Sequence, residues 1–272
     1  MSNFAQRVLT ALVGAAVVVA AVWAGGVAFA VLVTAAALAA QVELYRLLAA
    51  GGTRPLVGLG MAFGAVAVLW PWVPRAGLVL AAGLLALLPA VLYLRRETPL
   101  LDAAGTVFGV LYPAGLASSL LVLRLSDAAW LGETGAFWLT LTVLFCVWGA
   151  DSFAYLVGRA VGRTPLFERV SPKKTWEGAL GGAAGAFALA AAFKLAVVGD
   201  VLGWPDVLAI AVACGILSPF GDLAESLFKR SVGVKDSATW LPGHGGLLDR
   251  IDATVVAVPV IALYFELTRG LL

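Results

Sequence analysis

The chain has 272 residues, 62% of them hydrophobic and only 12% charged, with a formal net charge of +2 and a mean hydropathy of +0.99. Soluble domains carry about twice that share of charge, so the composition excludes a soluble globular domain and leaves a polytopic, all-α integral membrane protein. The charge balance gives no reason to expect a nucleic-acid partner.

A bilayer core of about 30 Å takes about 20 apolar residues per helix. That ruler predicts nine spans, at 7–24, 25–41, 56–73, 76–94, 100–123, 136–157, 179–198, 207–219 and 253–267. The first is not read as a cleaved leader, because a second run of spanning length follows Gly26 at once and makes a helical hairpin. The eighth is short at its C-terminal end and is expected to continue as a helix through Asp222 and Glu225. With a cytoplasmic N-terminus, fourteen of the eighteen basic residues fall in inner loops. Arg75, Arg124 and Arg269 fall outside and Lys194 lies within a span, so the positive-inside bias favours this orientation. Such a face attracts anionic headgroups or nucleotides.

The chain is read as one polytopic domain in two parts, scaffold helices over 1–125 and catalytic helices with cytoplasmic loops over 126–272. In the first part, Asp102 is either an interior acid or a helix-start acid favoured by the dipole. In the second, Asp151 lies late in the sixth span, where an ionisable group is a functional candidate. Cys146 and Cys214 both sit in apolar spans without partners at ligand spacing, so they read as small core residues rather than as zinc or disulfide sites. The loop after the sixth span carries Arg159, Arg163, Arg169, Lys173 and Lys174. Ser171, Pro172 and Glu177 read there as a helix start, a natural place for an anion.

Charge concentrates in the stretch from Asp222 to Asp252. On a helix, Asp222, Glu225, Ser226, Lys229 and Arg230 recur at i, i+3, i+4, i+7 and i+8 and share one face. Carboxylates suit a hard cation and the bases suit phosphates, although ion pairs on an interfacial helix give the same spacing. Pro242, Gly243, His244, Gly245 and Gly246 are too glycine-rich for a helix. Asp249 and Asp252 then stand at i, i+3 at the mouth of the last span, pointing one way if a helix begins there.

Several runs resemble the signature of the phosphatidate cytidylyltransferases, also called CDP-diacylglycerol synthases. They are Ser226 to Arg230, Lys235-Asp236, Leu241 to Gly246 and Asp249 to Asp252, with Gly149 to Tyr155, Ser171 to Gly178 and Arg7 to Ala11 upstream. The resemblance implies CTP and phosphatidic acid as substrates, embedded among membrane lipids, with Mg²⁺ and a second cation such as K⁺. It also implies a multi-pass protein of the inner (cytoplasmic) membrane with its active site facing the cytoplasm. Asp222, Asp249 and Asp151 are the expected metal ligands. Asp222, Asp249, Lys229, Arg230, His244 and Asp252 are the expected catalytic set, His244 binding phosphate or orienting the glycine turn. Substrate contacts are expected from Lys173, Lys174, Glu177, Ser226, Lys235, Asp236, Gly245, Gly246 and Arg250. A homodimer is left open, since Gly181, Gly182 and Gly185 serve packing within one subunit equally well. The rivals are a CTP-dependent lipid or polyprenol kinase, a cytidylyltransferase for another lipid phosphate, and an ion or phosphate transporter.

Overall fold

The computed structural model describes residues 3–94, 97–235, 237–238 and 245–272. Among them, six helices are long and apolar enough to cross a bilayer: Gly26–Ala50, Ala76–Tyr93, Pro99–Leu125, Gly132–Val161, Trp176–Val201 and Trp204–Ser231. Val8–Ala24 and Val57–Val68 are shorter apolar helices, and a helix of 16 residues, Thr254–Arg269, ends the chain. The all-α membrane class therefore holds, with six candidate spans among the described residues. The third apolar run stops early because Pro71 and Pro74, which have no N–H to donate, follow it directly.

In chain order the elements are α1 (Asn3–Ala24), α2 (Gly26–Ala50), α3 (Val57–Val68), α4 (Ala76–Tyr93), α5 (Pro99–Gly109), α6 (Leu116–Leu125), α7 (Gly132–Val161), β1 (Pro165–Phe167), β2 (Ser171–Thr175), α8 (Trp176–Phe193), α9 (Trp204–Val212), α10 (Ser218–Ser231), α11 (Leu248–Ile251) and α12 (Thr254–Arg269). A π-turn at Val110–Gly115 joins α5 to α6 around Pro113, and another at Ala213–Leu217 joins α9 to α10. Proline lacks the donor that the regular ladder needs, and a π-turn absorbs that loss without ending the helix.

Two corrections concern helix starts. The stretch Ser171–Thr175 is a strand paired antiparallel with β1, so the helix begins at Trp176, where Thr175 Oγ1 accepts from Gly178 N at 3.1 Å as its N-cap. Lys173 and Lys174 consequently stand on a strand and not at a helix N-terminus. Likewise α11 ends at Ile251 and α12 begins at Thr254, so Asp249 and Asp252 do not share a helix.

The chain divides into two compact units, residues 1–121 with 228–251, and residues 122–227 with 252–272. In the first, Ala40, Leu44, Leu47 and Leu248 form a buried cluster against Tyr112, Val232, Val234 and Ile251. A polar network runs through the same unit. Gln41 Nε2 donates to Tyr45 OH and to Gly60 O at 2.9 and 2.8 Å, and Tyr45 OH donates to Thr106 O at 2.8 Å. Asp102 is buried and its Oδ1 accepts from Arg54 N at 2.6 Å, which holds the α2–α3 loop to α5.

The second unit rests on close packing of α7 with α8. A Cβ at Gly181 would lie 2.6 Å from Val157, one at Gly182 would lie 2.9 Å from Ala150 O, and one at Gly185 would lie 2.3 Å from Phe153. Those three glycines therefore serve packing inside the subunit. Cys146 and Cys214 are buried in this unit as small core residues. Lys194 reaches beyond the end of α8 to donate to Gly199 O at 3.0 Å and to Leu202 O, which takes its charge out of the apolar stretch.

Candidate active site

The helical reading of the polar segment holds: α10 runs to Ser231 without a break and carries Asp222, Glu225, Ser226, Lys229 and Arg230. Within the second unit, four elements bring polar groups together. Lys174 of β2 forms an ion pair with Asp222, and Ser226 Oγ donates to Asp222 Oδ1 at 3.3 Å. Glu225 is 1% exposed and hydrogen-bonds Asp252. A bond between two carboxyls needs a proton on one of them. Burial, and next the Asp222 carboxylate, push the Asp252 carboxyl up to about 7, with Asp151 of α7 adding a smaller push. Asp252 also accepts from Ala253 N at 2.7 Å. The close approach of the chain before α12 to α10 requires Gly221, where a Cβ would lie 2.2 Å from Asp252 O.

Negative charge is thus in excess here, and an oxygen-only donor set of this kind is what Mg²⁺ takes. Among the described residues no three His, Cys, Asp or Glu side chains stand together as a complete metal cage. Mg²⁺ usually binds through one or two carboxylates and completes its shell with substrate phosphates and water, so the donors present fit it in that mode.

A second polar cluster lies in the first unit, around Asp249 of α11. Lys229 pairs with Asp249 Oδ1, and the two side chains are 10% and 7% exposed. Asp249 Oδ2 accepts from Gly246 N at 2.8 Å, Ser237 Oγ at 3.0 Å and Ser237 N at 3.3 Å. Gly245, at φ +76°, and Gly246 allow the backbone to lie directly on these groups, since a Cβ at Gly246 would fall 2.0 Å from Ser237 Oγ.

Other expected residues are engaged differently. The Glu177 carboxylate accepts from Arg163 N at 3.1 Å and from Thr164 Oγ1 at 2.9 Å, which ties α8 to the start of the hairpin. Lys173, Arg230, Lys235 and Arg250 are exposed, and Arg230 Nη1 donates to Val234 O at 3.3 Å. Asp236 and His244 lie outside the described residues.

Sequence reasoning missed Glu43 and Ser237. Glu43 is 1% exposed on α2, and it accepts from Ser237 Oγ, Leu247 N and Leu248 N at 2.8, 2.9 and 2.8 Å. The second span was expected to end at Gln41, but Leu44, Leu47 and Leu48 continue the apolar pattern past Glu43. That continuation was the signal for an intramembrane acid.

A sequence profile of the Cytidylyltransferase family matches residues 5–268. The chain belongs to the cytidylyltransferase family. The family match takes in both units and all the residues of both polar clusters. A phosphatidate cytidylyltransferase of Brucella abortus biovar 1 (strain 9-941) is 37% identical over 273 residues, covering 97% of this chain and 94% of the relative. Phosphatidate cytidylyltransferase 5, chloroplastic, of Arabidopsis thaliana is 33% identical over 284 residues, covering 93% of this chain and 70% of the relative. The phosphatidate cytidylyltransferase of Haemophilus influenzae (strain Rd) is 46% identical over 133 residues, 47% of this chain and 45% of that protein.

Proposed function

We propose that the protein is a phosphatidate cytidylyltransferase, which transfers CMP from CTP to phosphatidic acid to give CDP-diacylglycerol and pyrophosphate. The observation that carries this reading is the gathering of Asp222, Glu225, Asp252 and Lys174 within the second unit. An oxygen of the lipid phosphate attacks the α-phosphorus of CTP. The bond from that phosphorus to the bridging oxygen breaks, and pyrophosphate leaves with the electron pair. The attacking group is already an anion, so no protein nucleophile is needed, and the work left is positioning and charge neutralisation.

In this reading Asp222 holds Mg²⁺ within the second unit, with Asp151 and Asp252 as further ligands or supports, and Asp249 is carried over from the family resemblance as a metal ligand. Bound there, the ion neutralises charge on the transferring and leaving phosphates. A second cation such as K⁺ is carried over from the family resemblance. Asp249 Oδ2 faces Gly246 N, Ser237 N and Ser237 Oγ, and Oδ1 pairs with Lys229, so the loop and Lys229 together fix the orientation of this carboxylate. Lys174 and Lys229 neutralise incoming phosphates, and exposed Lys173, Arg230, Lys235 and Arg250 draw CTP to the surface.

The finer topology belongs to the same proposal: nine apolar helices crossing the inner membrane, the N-terminus and both motif loops cytoplasmic. Acyl chains leave a bilayer at a cost of about 0.8 kcal/mol per CH₂, whereas CTP is soluble, so the reaction belongs at the inner interface. The test is purified protein with phosphatidate, Mg²⁺ and CTP labelled in either the α- or the γ-phosphate. The expected result is α-label in the lipid with release of pyrophosphate. Lipid carrying γ-label would make the protein a kinase, and no CTP-dependent product would remove the enzymatic reading.

A further inference from the structure

We infer that Glu43 is a positioning residue of the transfer site: from α2 its carboxylate fixes Ser237 and the start of α11 and, through them, the orientation of Asp249. The inference rests on the role proposed for Asp249 and extends it to a helix that the sequence marked as scaffold.

An acid buried in a membrane helix is costly, and Glu43 takes its three hydrogen bonds from chain 194, 204 and 205 residues away. It accepts none of these from its own helix. A loop needing only to be closed could use backbone pairing, without burying a carboxylate. The placement of Ser237 gives the acid its purpose. Ser237 Oγ lies 2.8 Å from Glu43 Oε2 and 3.0 Å from Asp249 Oδ2. One hydroxyl proton faces two acceptors, so Glu43 governs how much of it Asp249 receives. Leu247 and Leu248, also held by Glu43, lie immediately before Asp249 and set where its Cα stands. Gly246 is bare at the same point, since a Cβ there would be 2.3 Å from Glu43 Oε2. Asp249 therefore keeps Oδ2 turned to the loop and Oδ1 turned to Lys229.

The test compares wild type with Glu43→Gln, Glu43→Asp, Ser237→Ala and the Glu43→Gln/Ser237→Ala double variant. Each is assayed for kcat, for KM toward phosphatidate and for the Mg²⁺ concentration giving half activity, and amide exchange at Leu247 and Leu248 is followed without substrates. Groups that orient a metal ligand typically account for about 10- to 100-fold in activity or metal affinity. Glu43→Gln is expected to lose that much in kcat or Mg²⁺ requirement, with the phosphatidate KM unchanged and faster exchange at the two amides. Glu43→Asp should recover part of the loss, and the double variant should be no worse than Glu43→Gln, because the two groups act through one contact. Wild-type kcat and Mg²⁺ requirement in Glu43→Gln, or losses that multiply in the double variant, would overturn the inference. If Glu43→Gln does not fold, an unchanged Mg²⁺ requirement in Ser237→Ala overturns it instead. An inactive wild type would count against the functional reading alone, because unchanged exchange in Glu43→Gln still decides against the clamp.

Discussion

Lys229 and Lys174 each pair with an aspartate, yet their surroundings predict opposite consequences of removal. The Lys229–Asp249 pair is almost fully buried, and truncating one partner of a buried pair leaves an uncompensated charge at a cost of about 3–5 kcal/mol. Lys229→Met should therefore lower the thermal midpoint in detergent by many degrees as well as reduce turnover. The Lys174–Asp222 pair has side chains 29% and 35% exposed, and such pairs contribute about 0–1 kcal/mol. Lys174→Met should leave the midpoint nearly unchanged and raise the KM for CTP. Asp222→Ala should also stay folded, while turnover falls by at least about 100-fold, the scale of losing one group that stabilises transition-state charge. Activity near wild type in folded Asp222→Ala would remove that aspartate from the metal site. The residue types at these positions were legible because charge inside so apolar a chain is conspicuous. Glu43 was not, because the boundary assigned to its helix placed it in a loop.

Helix periodicity carried further than helix boundaries did. The continuation of α10 past Pro219 followed from acids and bases recurring at helical spacing, and the helix runs to Ser231 as expected. The β1–β2 hairpin was illegible, since strands of three and five residues leave too few positions for alternation to register, and Ser-Pro imitates a helix start. The break between α11 and α12 was hidden for a related reason. An i, i+3 pair fits a helix, but nothing in the spacing says that the helix is unbroken between its members. Element contacts give their own prediction at Gly221. An added methyl there would meet the backbone at Asp252 O, 2.2 Å away, whereas one at Gly14 of α1 meets nothing within 4 Å. Gly221→Ala should cost about 1–3 kcal/mol, the range for overpacking. Gly14→Ala should be neutral or stabilise by about 0.5–1 kcal/mol, as glycine in a helix interior normally does when replaced. Thermal unfolding of the two variants side by side separates the contact from the substitution itself.

The distribution of basic residues favours a cytoplasmic N-terminus, and α8 is the element on which the proposed orientation is most directly tested. Its extended helix, Trp176–Val201, has 26 residues, about 39 Å at 1.5 Å per residue, which exceeds a hydrocarbon core of about 30 Å. Lys173 precedes one end on β2 and Asp200 lies at the other, and both are exposed. Cys146 and Cys214, the two native cysteines, are fully buried, so a membrane-impermeant maleimide should find almost no background. With the N-terminus cytoplasmic, Lys173→Cys should react only in inverted vesicles and Asp200→Cys only in intact spheroplasts. The reverse pattern would invert the orientation and place the polar loops on the side without CTP. Reaction of both from one side would show that α8 does not span, and the count of nine crossings would fall with it.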